Sequence, residues 1–315
     1  MAMAVRAHIS GTRPAGRGAV LRSPALALAL AALFWSGNFV VARAVRTDVD
    51  PVFITFIRWF LALLIFAPFV WREVRHSLPA IRRAWRLITA LGFTGLALFH
   101  PLVFLAVQYT TATNALITLS LAPVAIMLGA SLISRVRPSL HQAGGTVISL
   151  TGAVVLITQG DIAGIIAAGA NAGDLVMLVA VVVWAVYSLL LRRRPADLSP
   201  TVALVASIVP ALPVLLLFTL IAGPTVAMTV SPSLVLAIAY IAVFATVLSF
   251  MFWSYGVAEM GPSRAGQFIH LMPVFGAVLA FVLLGEPLST AQVAGAALVF
   301  AGLVLIEDRR SAKAA

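Results

Sequence analysis

Seven side chains stand out because they are costly or specific where they occur, inside runs of apolar residues. Arg58, in Pro51-Val-Phe-Ile-Thr-Phe-Ile-Arg58-Trp-Phe, is the one permanent charge well inside such a run. An arginine keeps its proton in proteins, so at depth it needs an anion, water or carbonyl oxygens around it. Its planar fork of N–H groups suits a carboxylate; the plainer alternative is a side chain that reaches the surface or pairs with Asp48 or Asp50. His100 stands directly before Pro101, and His270 three residues before Pro273. Imidazole titrates near neutral pH, which makes both candidates for a proton carrier or a solute ligand. Local bonding to a carbonyl that proline frees is the simpler role. Trp35 and Asn38 lie at i and i+3, as do Trp184 and Tyr187, so each pair shares a helix face. An aromatic ring beside a hydrogen-bonding group suits an amphipathic solute, whereas plain interhelical packing, with Asn as a polar tie, competes with that reading. Pro101, Pro123 and Pro273 interrupt helices and are candidate bends for gating, or packing kinks. Trp253 and Tyr255 read as residues of the membrane-interface belt, and Glu286 as part of a loop.

These residues do not make a catalytic set. The five histidines are not at metal-ligand spacing within a run, no carboxylate lies deep in one, and there is no cysteine. A Gly-rich phosphate loop is absent, so the chain alone is not an ATP-driven pump, and no cofactor or metal is called for. The candidates to be weighed are a secondary transporter, a membrane scaffold or receptor, and an intramembrane enzyme. The first fits best.

What positions these side chains is a membrane. The chain has 315 residues, 62% apolar and only 10% charged, against about 25% charged in soluble domains. A helix needs about 20 residues to cross the hydrocarbon. Spans fit at 24–44, 51–71, 87–107, 113–133, 140–158, 174–192, 200–222, 233–257, 265–285 and 290–306, after a tail of residues 1–23 and before one of 307–315. The net charge of +11 does not indicate nucleic acid, because the arginines cluster between apolar runs, where anionic lipid headgroups attract them. With the N-terminus inside, eighteen of the twenty-one basic residues fall on inner segments; Arg43 and Arg46 fall outside, and Arg58 lies within a span. The positive-inside rule then places both termini in the cytoplasm. Arginine outnumbers lysine twenty to one, which points to the coding bias of a GC-rich bacterium.

The runs also repeat. Residues 120–156 align with 270–306 without a gap, matching at nine of 37 positions, among them Pro123, Ser139, Gln142, Gly145 and Gly152. Trp35 and Arg43 are echoed by Trp184 and Arg192, and Pro51 by Pro200, at a shift of 149. Each half, 24–158 and 174–306, holds five spans. An odd number forces the halves to cross in opposite senses, as in transporters whose solute site lies between inverted repeats. The fold expected is an all-α polytopic membrane protein of ten transmembrane helices in two inverted five-helix repeats.

Ala122-Pro123-Val124 with Gly145 and Gly152, Met272-Pro273-Val274 with Gly285-Glu286-Pro287-Leu288-Ser289, Gln292, Gly295 and Gly302, and Phe34-Trp35-Ser36-Gly37-Asn38-Phe39 together resemble the drug/metabolite transporter superfamily in its EamA-like branch. The resemblance spans roughly residues 24–306. The first half departs from the pattern at Val136, where the second carries Glu286. The resemblance implies ten helices, two EamA-type repeats, an inner-membrane location and secondary transport. The expected cargo is a small organic metabolite, an amino acid or related solute, and protons are a candidate coupling partner because His100 and His270 are titratable groups within the spans. The resemblance does not specify the solute.

Overall fold

The computed structural model describes residues 23–45, 48–223 and 230–307. Among them, nine helices are long and apolar enough to cross a membrane, and a tenth is apolar and 18 residues long. They are α1 (Pro24–Ala44), α2 (Pro51–His76), α3 (Trp85–Ala106), α4 (Ala112–Ser134), α5 (Leu140–Thr158), α6 (Ala172–Leu191), α7 (Pro200–Ala222), α8 (Pro232–Met260), α9 (Pro262–Leu283) and α10 (Thr290–Glu307). The tails before residue 23 and after 307 lie outside the described residues, as does Arg46; Arg43 has only its backbone described.

Helix starts follow from local chemistry. Asp50 caps α2, accepting from the Val52 and Phe53 amides, and Pro51 follows where no amide partner is needed. Ser199-Pro200 and Ser231-Pro232 repeat that device at α7 and α8. Asn171 and Asp174 form a capping box at α6.

Four helices are irregular. The middle of α3 is π-helical over Gly92–Leu98, and the middle of α8 over Ile241–Leu248. The two stretches begin 149 residues apart, so the irregularity repeats with the sequence. A π-helical stretch leaves carbonyls without their usual partners, and such stretches mark functional positions. α4 breaks at Ser120–Leu121, before Pro123; α9 passes through a 3-10 turn at Phe268–His270, before Pro273. Pro101 stands three residues beyond the end of the π-helical stretch of α3. All three prolines singled out in the sequence therefore stand next to breaks or irregular turns.

The inversion is visible in the packing of α5 on α10. A Cβ added to Gly145 would lie 2.6 Å from the Gly302 carbonyl oxygen, and one added to Gly152 would lie 2.6 Å from that of Gly295. The reverse pairs are as tight, at 2.5 and 2.7 Å. Early residues of α5 thus meet late residues of α10, so the helices are antiparallel. Because Gly145 corresponds to Gly295 and Gly152 to Gly302, the contact is self-complementary, as a two-fold axis across the helices requires. Small residues let the two backbones approach this closely. Two pairs of repeat equivalents meet each other directly on the same axis: Trp35 with Trp184, and Ser120 with His270.

Candidate functional site

A cavity of about 330 Å³ lies between the repeats. Trp35, Asn38, Arg58, His100 and Trp184, five of the seven side chains singled out above, line it. It reaches toward the end of the bundle where the α1–α2 loop supplies Val45 and Val49 and α3 ends at Phe104 and Val107. Toward the opposite end an aromatic cluster forms its floor. Trp35 stands edge-on to Trp184 at 5.4 Å and to Phe250 at 5.6 Å, and Trp253 closes behind them at 5.6 Å from Trp35 and 5.5 Å from Trp184. Trp253 is therefore a core residue, only 1% exposed, and not part of an interface belt. Its place on the inward face of α8 explains the difference.

Arg58 is 4% exposed and does not turn back to the surface. It lies eight residues beyond Asp50, about 12 Å along α2 at 1.5 Å per residue. Its Nε donates to Thr246 Oγ1 at 2.6 Å and its Nη2 to the Ala245 carbonyl at 3.1 Å, both in the π-helical stretch of α8. Trp35 Nε1 donates to the same Ala245 carbonyl at 3.1 Å. The irregular helix thus supplies the oxygen that ties α1, α2 and α8 together. Nη1 faces His100 Nε2 at 3.4 Å. Arginine can only donate, so this nitrogen accepts and the ring carries its proton on Nδ1. That Nδ1 is buried and points toward the Leu96 carbonyl without reaching hydrogen-bond geometry. The pairing of Arg58 with His100, 42 residues apart, has no signature in the sequence.

The other two singled-out side chains lie off this wall. Tyr187 is 1% exposed and packs on α3, where a Cβ on Gly95 would fall 2.3 Å from its ring. His270 has both ring nitrogens engaged: Nδ1 with Ser149 Oγ at 2.7 Å and Nε2 with the Ser120 carbonyl at 2.9 Å. It clips α9 to α4 and α5 on the pseudo-two-fold axis. Sequence reasoning missed Thr246, which looks like any threonine in an apolar run. It also missed Phe250 and the carbonyl of Ala245, which only the π-helical turn exposes.

A second cavity, also about 330 Å³, shares Phe39, Leu119, Ile269 and Met272 with the first. It runs between α1, α4, α5, α9 and α10 and carries Ser36, Thr113, Ser120 and Gln292.

A model of the EamA-like transporter family matches the chain twice, over residues 22–158 and 171–307. The chain belongs to the EamA-like transporter family. An uncharacterized transporter of Archaeoglobus fulgidus is 26% identical over 284 residues, covering 89% of this chain and 96% of that protein. A probable amino-acid metabolite efflux pump of Salmonella typhimurium is 28% identical over 290 residues, covering 88% and 92%. A solved crystal structure superposes with a TM-score of 0.75 at 20% identity, covering 91% of this chain and 97% of that one, so it has the same fold. The relatives are transporters, and this chain is a multi-pass membrane protein of that family. Its two matched stretches each contribute helices to the cavity.

Proposed function

We propose that the chain is a secondary transporter that exports a small organic metabolite, an amino acid or related solute, across the bacterial inner membrane by alternating access. Both termini lie in the cytoplasm in this reading. The cavity then opens to the periplasm and the aromatic floor closes it from the cytoplasm. Trp35, Asn38, Arg58, His100 and Trp184 hold the solute, while Pro101, Pro123 and Pro273 mark the bends. Tyr187 supports the floor from behind, and His270 ties the two halves.

An asymmetry between equivalent positions carries the proposal. Ser139 and Gln142 begin α5 as Ser289 and Gln292 begin α10, in identical capping turns. In the first repeat the Gln142 amide reaches across to Ser263 Oγ on α9 at 2.5 Å. The equivalent of Ser263 is Thr113, also a hydroxyl. Yet Gln292 turns back on its own cap, its Oε1 accepting from the Ser289 amide at 2.9 Å, and both Gln292 and Thr113 line the second cavity. One end of the bundle is latched and its pseudo-symmetric counterpart is open. Exchanging the two arrangements between repeats converts one access state into the other.

A thermal-shift screen of the purified protein against amino acids, organic acids, nucleosides, sugars and cationic drugs tests the site. A bound solute stabilises the fold by mass action. At least one class is expected to raise the melting temperature of the wild type. Arg58→Lys keeps the charge without the fork and weakens that effect, and Arg58→Gln removes it. Should Arg58→Gln melt lower but bind as before, Arg58 serves only the fold.

A further inference from the structure

We infer that the cavity selects an amphipathic organic monoanion, a carboxylate on an apolar body without a free ammonium group, over a zwitterionic amino acid. The inference rests on the transport reading and narrows its "amino acid or related solute" to the acylated or deaminated relative.

The donor count of Arg58 is the first support. A guanidinium has five N–H groups. One Nε–H and one Nη2–H are spent on Thr246 and Ala245, along the side-on edge of the fork. One Nη1–H faces His100. One N–H on each of Nη1 and Nη2 then remains without a hydrogen-bond partner among the described residues, enough donors for the two oxygens of a carboxylate. The α8 contacts hold the plane of the fork, so its direction is set before a solute arrives.

The second support is the rest of the wall. The side chains that accompany Arg58 and His100 are Asn38, Thr55 and otherwise apolar or aromatic groups, with no acid among the described lining residues. Of the acids near this end, Asp48 and Asp50 both have partners of their own, Asp50 as the cap of α2, and Asp174 closes the α6 cap while accepting from Thr110 Oγ1 at 2.5 Å. An α-ammonium gripped through its carboxylate would sit about 6 Å from the guanidinium. At an effective dielectric of about 20, that repulsion weakens binding roughly a hundred-fold. Phe99, Phe104, Phe250 and Ile269 instead offer the solute body a dry, apolar envelope.

A matched series tests this on the purified full chain: 3-phenylpropanoate, N-acetylphenylalanine, phenylalanine and 2-phenylethylamine, each titrated by calorimetry. The two monoanions are expected to bind about a hundred-fold more tightly than phenylalanine, and the amine not at all. Arg58→Gln abolishes binding of the acids. Asn38→Asp, which adds an acid to the wall, narrows the gap between phenylalanine and 3-phenylpropanoate. Phenylalanine binding as tightly as 3-phenylpropanoate in the wild type overturns the class but leaves the transport reading standing. Acids binding equally to wild type and Arg58→Gln overturn the site itself. Binding by none of the four acids and amines, in protein that melts cooperatively, overturns the class.

Discussion

The Gln142–Ser263 latch gives a quantitative handle on alternating access. Gln142→Ala removes one amide–hydroxyl bond between α5 and α9 and leaves the Ser139 cap in place, because that cap uses the backbone amide of residue 142. Hydrogen bonds between membrane helices contribute about 0.6–1.7 kcal/mol. If the latch bond exists in one access state only, losing it shifts the equilibrium toward the other state by that amount, a factor of about 3 to 18. The chain contains no cysteine, so the shift can be read by disulfide formation between introduced pairs. Thr113→Cys with Gln292→Cys reports closure of the end that is open here. Its cross-linking rate in membranes should rise about 3- to 18-fold when Gln142→Ala is added. A pair at 142 and 263 should cross-link readily in the resting protein and arrest transport. An unchanged rate at the 113–292 pair, or full transport by the protein locked at 142–263, would refute the exchange of latches between repeats.

The two buried histidines should separate by assay. His100→Gln is expected to abolish transport driven by an imposed pH gradient while the melting temperature changes little, because the ring's one hydrogen-bond partner among the described residues is Arg58 at 3.4 Å. His270→Gln should retain gradient-driven transport and lose about 1–3 kcal/mol of stability, since two buried hydrogen bonds are disturbed. Gly302→Ala places a methyl 2.5 Å from a backbone oxygen that cannot yield, and should destabilise the protein by about 1–3 kcal/mol in denaturant melts. Gly276→Ala, whose added Cβ meets nothing within 4 Å, is the control and should be neutral or mildly stabilising.

Long apolar runs and their caps were legible in the sequence because span length and helix starts are local properties. The expected spans at 24–44, 140–158 and 200–222 coincide with α1, α5 and α7, and the others differ mainly at their ends. Positions of Trp35, Asn38, Arg58, His100 and Trp184 around one cavity follow from apolar surroundings that make each of them conspicuous. What bonds to them was not legible. The π-helical turn that aims the Ala245 carbonyl at Arg58 is a tertiary adjustment, with no residue preference to announce it. Trp253 misleads for a related reason: near a helix end, burial and interface placement require the same side chain, and only the packing of α8 against α1 and α6 decides between them.

The repeats share a backbone but differ in chemistry. At the shift of 149 that relates Trp35 to Trp184, Arg58 corresponds to Ser207 and His100 to Ser249. Ser207 Oγ donates to the Ala203 carbonyl of its own helix at 2.7 Å, and Ser249 Oγ to that of Phe244 at 2.8 Å. Ser249 Oγ also lies 3.4 Å from the Ala31 carbonyl of α1, so both serines are satisfied by backbone oxygens and ask nothing of a solute. Near the axis the pattern is different: Trp35 meets its equivalent Trp184, and the contact of Gly145 with Gly302 is repeated by the equivalent pair, Gly295 with Gly152. Groups on the axis face both repeats at once, so matched residues there keep the two access states close in energy. Arg58 and His100 lie off the axis, where a residue belongs to one half alone and can be specialised without a matching partner. In the transport cycle proposed above, this division gives the motion to what the repeats share and the polar recognition of the solute to Arg58 and His100, which they do not share.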